Sequence, residues 1–143
     1  MKSEEGLMIE IENLEKESKK SLHFYGTLRH LLDDAFCSGN AYMLDKKKVV
    51  SLSLEGEGYF DNRESLLSLP EALKQFKDLR FLSISRYSNL KNFENLVYLK
   101  NLAGLYLSDI DLYELPFVLS KLPKLKEIYL SGIGNKVDLS NIQ

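Results

Sequence analysis

The chain has 143 residues, 44% hydrophobic and 28% charged, with a formal net charge of -2. That is one domain's length with apolar side chains enough for a single core, and the balance of charge argues against a general nucleic-acid or anionic-membrane surface. The single cysteine, Cys37, excludes an intrachain disulfide and fits a reducing compartment. The longest apolar run near the start, Leu7 to Ile9, is far below a signal-peptide core or a membrane span, so a soluble cytoplasmic protein is expected.

In the first segment, Ser3, Glu4 and Glu5 precede Leu7, Met8, Ile11 and Leu14 at spacings of three and four, and Lys16, Lys19 and Lys20 follow. Acid first and base last match the helix dipole, so this is an amphipathic helix. A second helical stretch is expected over Leu28, Leu31, Leu32 and Phe36, ending near Ser38, Gly39 and Asn40. Ala41 to Leu44, a turn at Asp45 to Lys47 and Lys48 to Leu54 then read as a hairpin, with the lysine run Lys46 to Lys48 a solvated tip.

From Val49 onward one spacing recurs. Leu79, Leu82, Ile84 are followed after 23 residues by Leu102, Leu105, Leu107 and after another 23 by Leu125, Ile128, Leu130. An earlier copy, Val49, Leu52, Leu54, lies 30 residues before Leu79, so its repeat holds seven extra residues. The rest of the repeat keeps the same phase. Leu69, Pro70, Leu73 and Phe76 match Leu115, Pro116, Leu119 and Leu122, while the second full copy has Phe93, Leu96 and Leu99 and no proline. The insertion therefore falls around Gly58 to Ser65. A short period-2 segment alternating with a wider-spaced apolar one is what a strand and a return segment per coil require, each coil burying its apolar face on its neighbours.

This LxxLxL pattern resembles the leucine-rich repeat family, in its short bacterial or archaeal form, over residues 49 to 143. The resemblance implies an α/β solenoid of about four coils, starting near residues 49, 79, 102 and 125, with a short parallel sheet on the concave face. Residues 1–48 then form an N-terminal cap of helices and hairpin, because a first coil would otherwise expose its core. One feature departs from the family. Its usual ninth-position asparagine is replaced by Glu57, Tyr87, Ile110 and Ile133, so no asparagine ladder forms and the turns must satisfy their backbone in other ways. The last coil is incomplete: Ile133, Val137, Leu139 and Ile142 follow Leu130 and the chain stops. Weak self-association through the edge of the last strand is the expected consequence.

Groups suited to chemistry are few. His23, His30 and Cys37 are spaced by seven, about 10 Å apart along a continuous helix, too far to share one metal ion. His30 with Asp33 or Asp34 makes a surface pair without a nucleophile, and Gly132, Gly134 and Lys136 lack the spacing of a phosphate loop. No enzyme activity, metal or cofactor is expected.

What remains is the sheet face that the repeat builds. Positions four and six of each strand point to the core, so three, five and seven align in outward columns, with position eight at the strand exit. Position three gives Ser51, Phe81, Gly104 and Glu127, and position five Ser53, Ser83, Tyr106 and Tyr129. Position seven gives Glu55, Ser85, Ser108 and Ser131, and position eight Gly56, Arg86, Asp109 and Gly132. An aromatic cluster of Phe81, Tyr106 and Tyr129, ringed by serines and charges, has the composition of a recognition surface. Tyr59 and Phe60 in the inserted segment extend it. The family's habit of binding proteins on the concave face implies a non-catalytic module for a protein or peptide, with neither nucleic acid nor membrane as partner. An inhibitor or immunity-type protein and a fragment of a larger repeat protein are the alternatives. Twelve outward positions fall short of the roughly 20 to 30 residues a standard interface uses on each side, which favours a peptide or loop. On this reading Tyr106→Ala with Tyr129→Ala abolishes partner capture and leaves thermal unfolding nearly unchanged.

Overall fold

A computed structural model describes residues 4–27, 36, 39–56, 66–112 and 115–131. Among them the protein is a mixed α/β structure, with one α-helix, α1 (Glu4–Ser18), and six strands. The strands are β1 (His23–Thr27), β2 (Ala41–Asp45), β3 (Lys48–Glu55), β4 (Phe81–Ser85), β5 (Gly104–Ser108) and β6 (Glu127–Ser131). They form one sheet in sequence order, antiparallel between β2 and β3 and parallel at every other junction.

The 23-residue spacing is the register of this sheet. Phe81–Ser85 pairs residue for residue with Gly104–Ser108, and that strand with Glu127–Ser131. Ser51–Glu55 pairs with Phe81–Ser85 in the same way, so the seven extra residues leave the ladder undisturbed. Two rows of aliphatic side chains result. Leu52, Leu82 and Leu105 form one and Leu54, Ile84 and Leu107 the other, all six without solvent exposure. In β6 the rows open: Ile128 is half-buried and Leu130 is 38% exposed, β6 being the last strand of the sheet among the described residues.

Each return segment is a short 3-10 helix, at Glu71–Gln75, Glu94–Tyr98 and Phe117–Lys121, again in 23-residue phase. The sequence asks for this geometry. Leu73, Phe76 and Leu79 are three apart, as are Leu96, Leu99 and Leu102, and a 3-10 helix places every third side chain on one face. The bonds follow: Leu73 N donates to Pro70 O, Phe76 N to Leu73 O and Leu79 N to Phe76 O, and the later copies repeat the chain. Pro70 and Pro116 stand just before their helices with φ of -58 and -59, where the ring removes no needed donor. Phe93 takes the same place with a different φ of -111 and still accepts Leu96 N, so the second copy keeps its turn. Side chains tie the copies together: Asn95 Nδ2 donates to Leu69 O at 2.8 Å and Asn101 Nδ2 to Lys77 O at 2.9 Å. Asparagine thus links successive repeats from the return segments. The ninth positions Tyr87 and Ile110 are instead buried in the core.

Helix α1 lies against the first of these 3-10 helices, and Ile11 and Leu14 join the same core cluster as the sheet leucines. Met8, expected on the apolar face, is half exposed; the buried stripe runs through Ile11, Leu14 and Ser18, and Met8 falls beside it. Glu17 Oε2 accepts Ala72 N at 2.9 Å, fixing the helix to the return segment. The chain then enters β1, so His23 opens a strand and the helical face proposed for His23, His30 and Cys37 does not begin there. His30, Cys37, Leu28, Leu31 and Leu32 lie outside the described residues, as do Glu57 and 58–65 of the insertion and the segment after Ser131. The β2–β3 hairpin is as expected. Lys46 and Lys47 form its two-residue tip with φ of 50 and 66, and Val50 is the extra residue of a bulge that brings both Val49 and Val50 into the interior. No helix among the described residues is long and apolar enough to cross a membrane.

Because each leucine row is closed by the next copy, truncation inside the stack leaves a void. Leu96→Ala is expected to cost about 2–5 kcal/mol in urea unfolding, whereas Leu67→Ala, at a side chain 67% exposed, should stay within about 0.5 kcal/mol.

Candidate functional site: the outward face of the sheet

The register that aligns the core rows also aligns the outward columns. Ser51, Phe81, Gly104 and Glu127 are successive partners, as are Ser53, Ser83, Tyr106 and Tyr129, and Glu55, Ser85, Ser108 and Ser131. Tyr106 and Tyr129 lie side by side with ring centroids 6.4 Å apart.

The aromatic cluster is nevertheless not a free surface. Phe36, from the segment before β2, lays its ring across three strands, 5.3 Å from Phe81, 6.1 Å from Tyr106 and 5.8 Å from Tyr129, edge-on to the first and last. Offset and edge contacts of this kind stabilise beyond the area they bury. Gly104 makes room for it. A Cβ built there would stand 2.9 Å from Phe36 Cζ and 2.9 Å from Phe81 Cδ1, closer than side chains approach. The expectation of an exposed aromatic patch is corrected accordingly: Phe81 and Tyr106 are half-buried, and Tyr129, at the edge, is 39% exposed. Likewise Ser51, Ser53 and Ser83, expected to face outward, are buried. The segment leading into β2 covers part of this face, where Ser53 Oγ donates to Gly39 O at 2.6 Å. Asn40 brackets the backbone of Glu55, its Oδ1 accepting Glu55 N at 2.9 Å and its Nδ2 donating to Glu55 O at 3.1 Å.

Past Phe36, toward the C-terminal ends of the strands, a cleft of about 360 Å³ remains open. Ser85, Arg86, Tyr106, Ser108 and Asp109 line it, together with Phe36, Gly39, Ser53, Glu55 and Ser83. The other residues singled out by the columns, Phe81, Glu127, Tyr129 and Ser131, do not line it; Tyr59 and Phe60 lie outside the described residues. Arg86 and Asp109 are held where the chain leaves β4 and β5, both left-handed, with φ of 60 and 52. The ladder holds them there, since Arg86 N donates to Ser108 O and Asp109 N to Ser131 O, each at 2.9 Å. A non-glycine residue in that conformation costs roughly 1–2 kcal/mol. Despite occupying neighbouring exits, the two side chains form no ion pair with each other, and among the described residues the Arg86 guanidinium has no partner. Asp109 accepts only a long bond, 3.3 Å, from Ser108 Oγ. The cleft therefore presents hydroxyls and unneutralised charges of both signs, which suits hydrogen-bonded recognition.

Two further observations bound its chemistry. Among the described residues no three His, Cys, Asp or Glu side chains converge on a possible metal site. On the first 3-10 helix, a hydrogen bond from Lys74 holds the exposed Glu71 carboxyl below its usual range and raises the Lys74 ammonium in turn; that pair belongs to the return segments, away from the cleft. Phe36 and Gly39 were missed by reading columns, because they come from outside the repeat. One trace of them exists in the sequence: glycine at position 104 in a strand, where a side chain would be cheaper. No family model matches the chain, and neither a curated protein nor a solved structure matches it.

The packing of Phe36 changes what the aromatic variants should do. Tyr106→Ala with Tyr129→Ala is now expected to lower stability by at least about 1 kcal/mol, through lost ring contacts. Gly104→Ala should cost about 1–3 kcal/mol by overpacking. In a Phe36→Ala background the Gly104→Ala cost should shrink, since one of the two clashing rings is gone; a double-mutant cycle in chemical denaturation reads the coupling. Strict additivity would show that Phe36 does not occupy the space above Gly104.

Proposed function

We propose that the chain is a short solenoid of the leucine-rich-repeat type that binds a peptide or protein loop, without catalysis, in the cleft between Phe36 and the exits of β4 and β5. The observation that carries this reading is the pair of charges at Arg86 and Asp109, both in left-handed backbone and neither in an ion pair among the described residues, over a floor of serine hydroxyls. Strain retained at a concave site is a mark of function when a cheaper residue is available, and glycine is that residue here. The size of the cleft sits at the lower end of ligand sites, which matches a few side chains of a partner and not a broad interface. The 23-residue phase of both strands and 3-10 helices supports the solenoid assignment.

Arg86→Gly separates fold from function. It should raise stability by up to about 1 kcal/mol by removing the left-handed penalty and weaken binding of peptides selected from a random library against the full chain by about tenfold, the loss of one charge-assisted contact. Calorimetric unfolding and peptide titration measure the two effects. Selected peptides that bind Arg86→Gly and a cleft-filling Ser85→Tyr variant as tightly as the parent chain would remove the cleft from consideration.

A further inference from the structure

At the opposite, N-terminal ends of the same strands lies a larger open groove of about 810 Å³. It runs from the hairpin tip past the starts of β4 and β5 to the start of β6. Lys46, Lys48, Arg80, Lys124 and Lys126 face it against two carboxylates, Asp45 and Asp78. An excess of three positive charges is thus gathered in one concavity of a chain whose net charge is -2. Like charges brought together in this way raise the local potential and attract counter-ions.

The cations are positioned as well as clustered. Arg80 Nη2 donates to Asp45 Oδ2 at 2.9 Å, while its Nη1 is buried without an acceptor. Lys124 Nζ donates to Asn101 Oδ1 at 2.8 Å, and Asn101 is itself anchored through Nδ2 to Lys77 O at 2.9 Å. The distinction between these two supports matters. A carboxylate orients a cation and cancels its charge; an amide orients it and leaves the charge intact. Lys124 is held by an amide. Lys48 lies 3.9 Å from Asp78, at the limit of an ion pair, and Lys46 and Lys126 form none among the described residues. Ala103, Pro123 and Leu125 add apolar surface to the same wall.

We propose that this groove binds a small organic ligand carrying several anionic groups, phosphate esters or carboxylates, with Lys124 and Lys126 as its principal contacts and Asn101 as the residue that positions Lys124. Ammonium groups act as point charges on such oxyanions, while Arg80, held by Asp45 with its Nη1 buried, contributes to the local potential and makes no direct contact. The groove volume lies within the range of small-molecule sites, and the apolar wall accommodates the uncharged part of the ligand. The site is independent of the peptide cleft, since the two lie at opposite ends of five-residue strands, roughly 16 Å apart.

The test is calorimetric titration of the full chain with tripolyphosphate and, separately, with citrate, the two arms distinguishing phosphate from carboxylate. Saturable one-to-one binding of at least one probe is expected. Lys124→Ala with Lys126→Ala, both exposed and so neutral to folding, should weaken it by about tenfold or more. Asn101→Ala removes no charge and should still weaken it, whereas Arg86→Gly should leave it unchanged. The proposal is overturned by an absence of saturable binding of both probes, by an affinity unaltered in the double lysine variant or in Asn101→Ala, or by a short single-stranded RNA that binds the same lysines and is not displaced by tripolyphosphate.

Discussion

The structure depends on one constraint, the residue-for-residue parallel pairing of segments 23 residues apart. Backbone hydrogen bonding sets this register, and because side chains alternate across a strand, a slip of one residue would turn every leucine of β4, β5 and β6 outward. The same step places Leu73 beside Leu96 and Leu96 beside Leu119 in the return segments, so ladder and core enforce each other. No single copy can bury its own leucines. Closure on one side comes from α1 and the β2–β3 hairpin, which bring Ile11, Leu14 and Val49 into the common core; on the other side β6 leaves Leu130 partly open.

A ladder that fixes the inner rows fixes the outer columns with the same accuracy. This is why Ser85 and Ser108 stand together, and why Arg86 and Asp109 are forced into the left-handed turn at neighbouring strand exits. Glycine would relieve that strain at both places. Phe36 shows the complementary effect. Its ring settles on three strands at once only because the column beneath it is interrupted by Gly104, so the loss of a side chain at one position creates the packing site for another.

The two ends of the strands have different electrostatic character. At the C-terminal ends, serines, two acids and one arginine surround a small cleft; at the N-terminal ends, lysines and Arg80 dominate a wide groove. The cause lies in the turns. The exits curl tightly and admit few side chains, while the hairpin tip and the residues before β4 and β6 project long cationic chains past the edge of the sheet. A net charge near balance conceals this separation.

Periodicity alone was enough to place the leucine rows, the outward columns, the hairpin and the phase of the return segments, because each of these follows from spacing and from alternation across a strand, which are properties of the chain taken locally. The three-residue apolar spacing even specifies 3-10 geometry. What spacing could not show was occupancy. That Phe36 covers Phe81, Tyr106 and Tyr129, that Asn101 carries Lys124, and that β1 takes up His23 are contacts between parts of the chain with no common period. They arise only when the N-terminal segment folds back on the sheet and when successive repeats meet, and burial, strain and charge pairing are then decided by three-dimensional proximity, which no repeat in one dimension encodes.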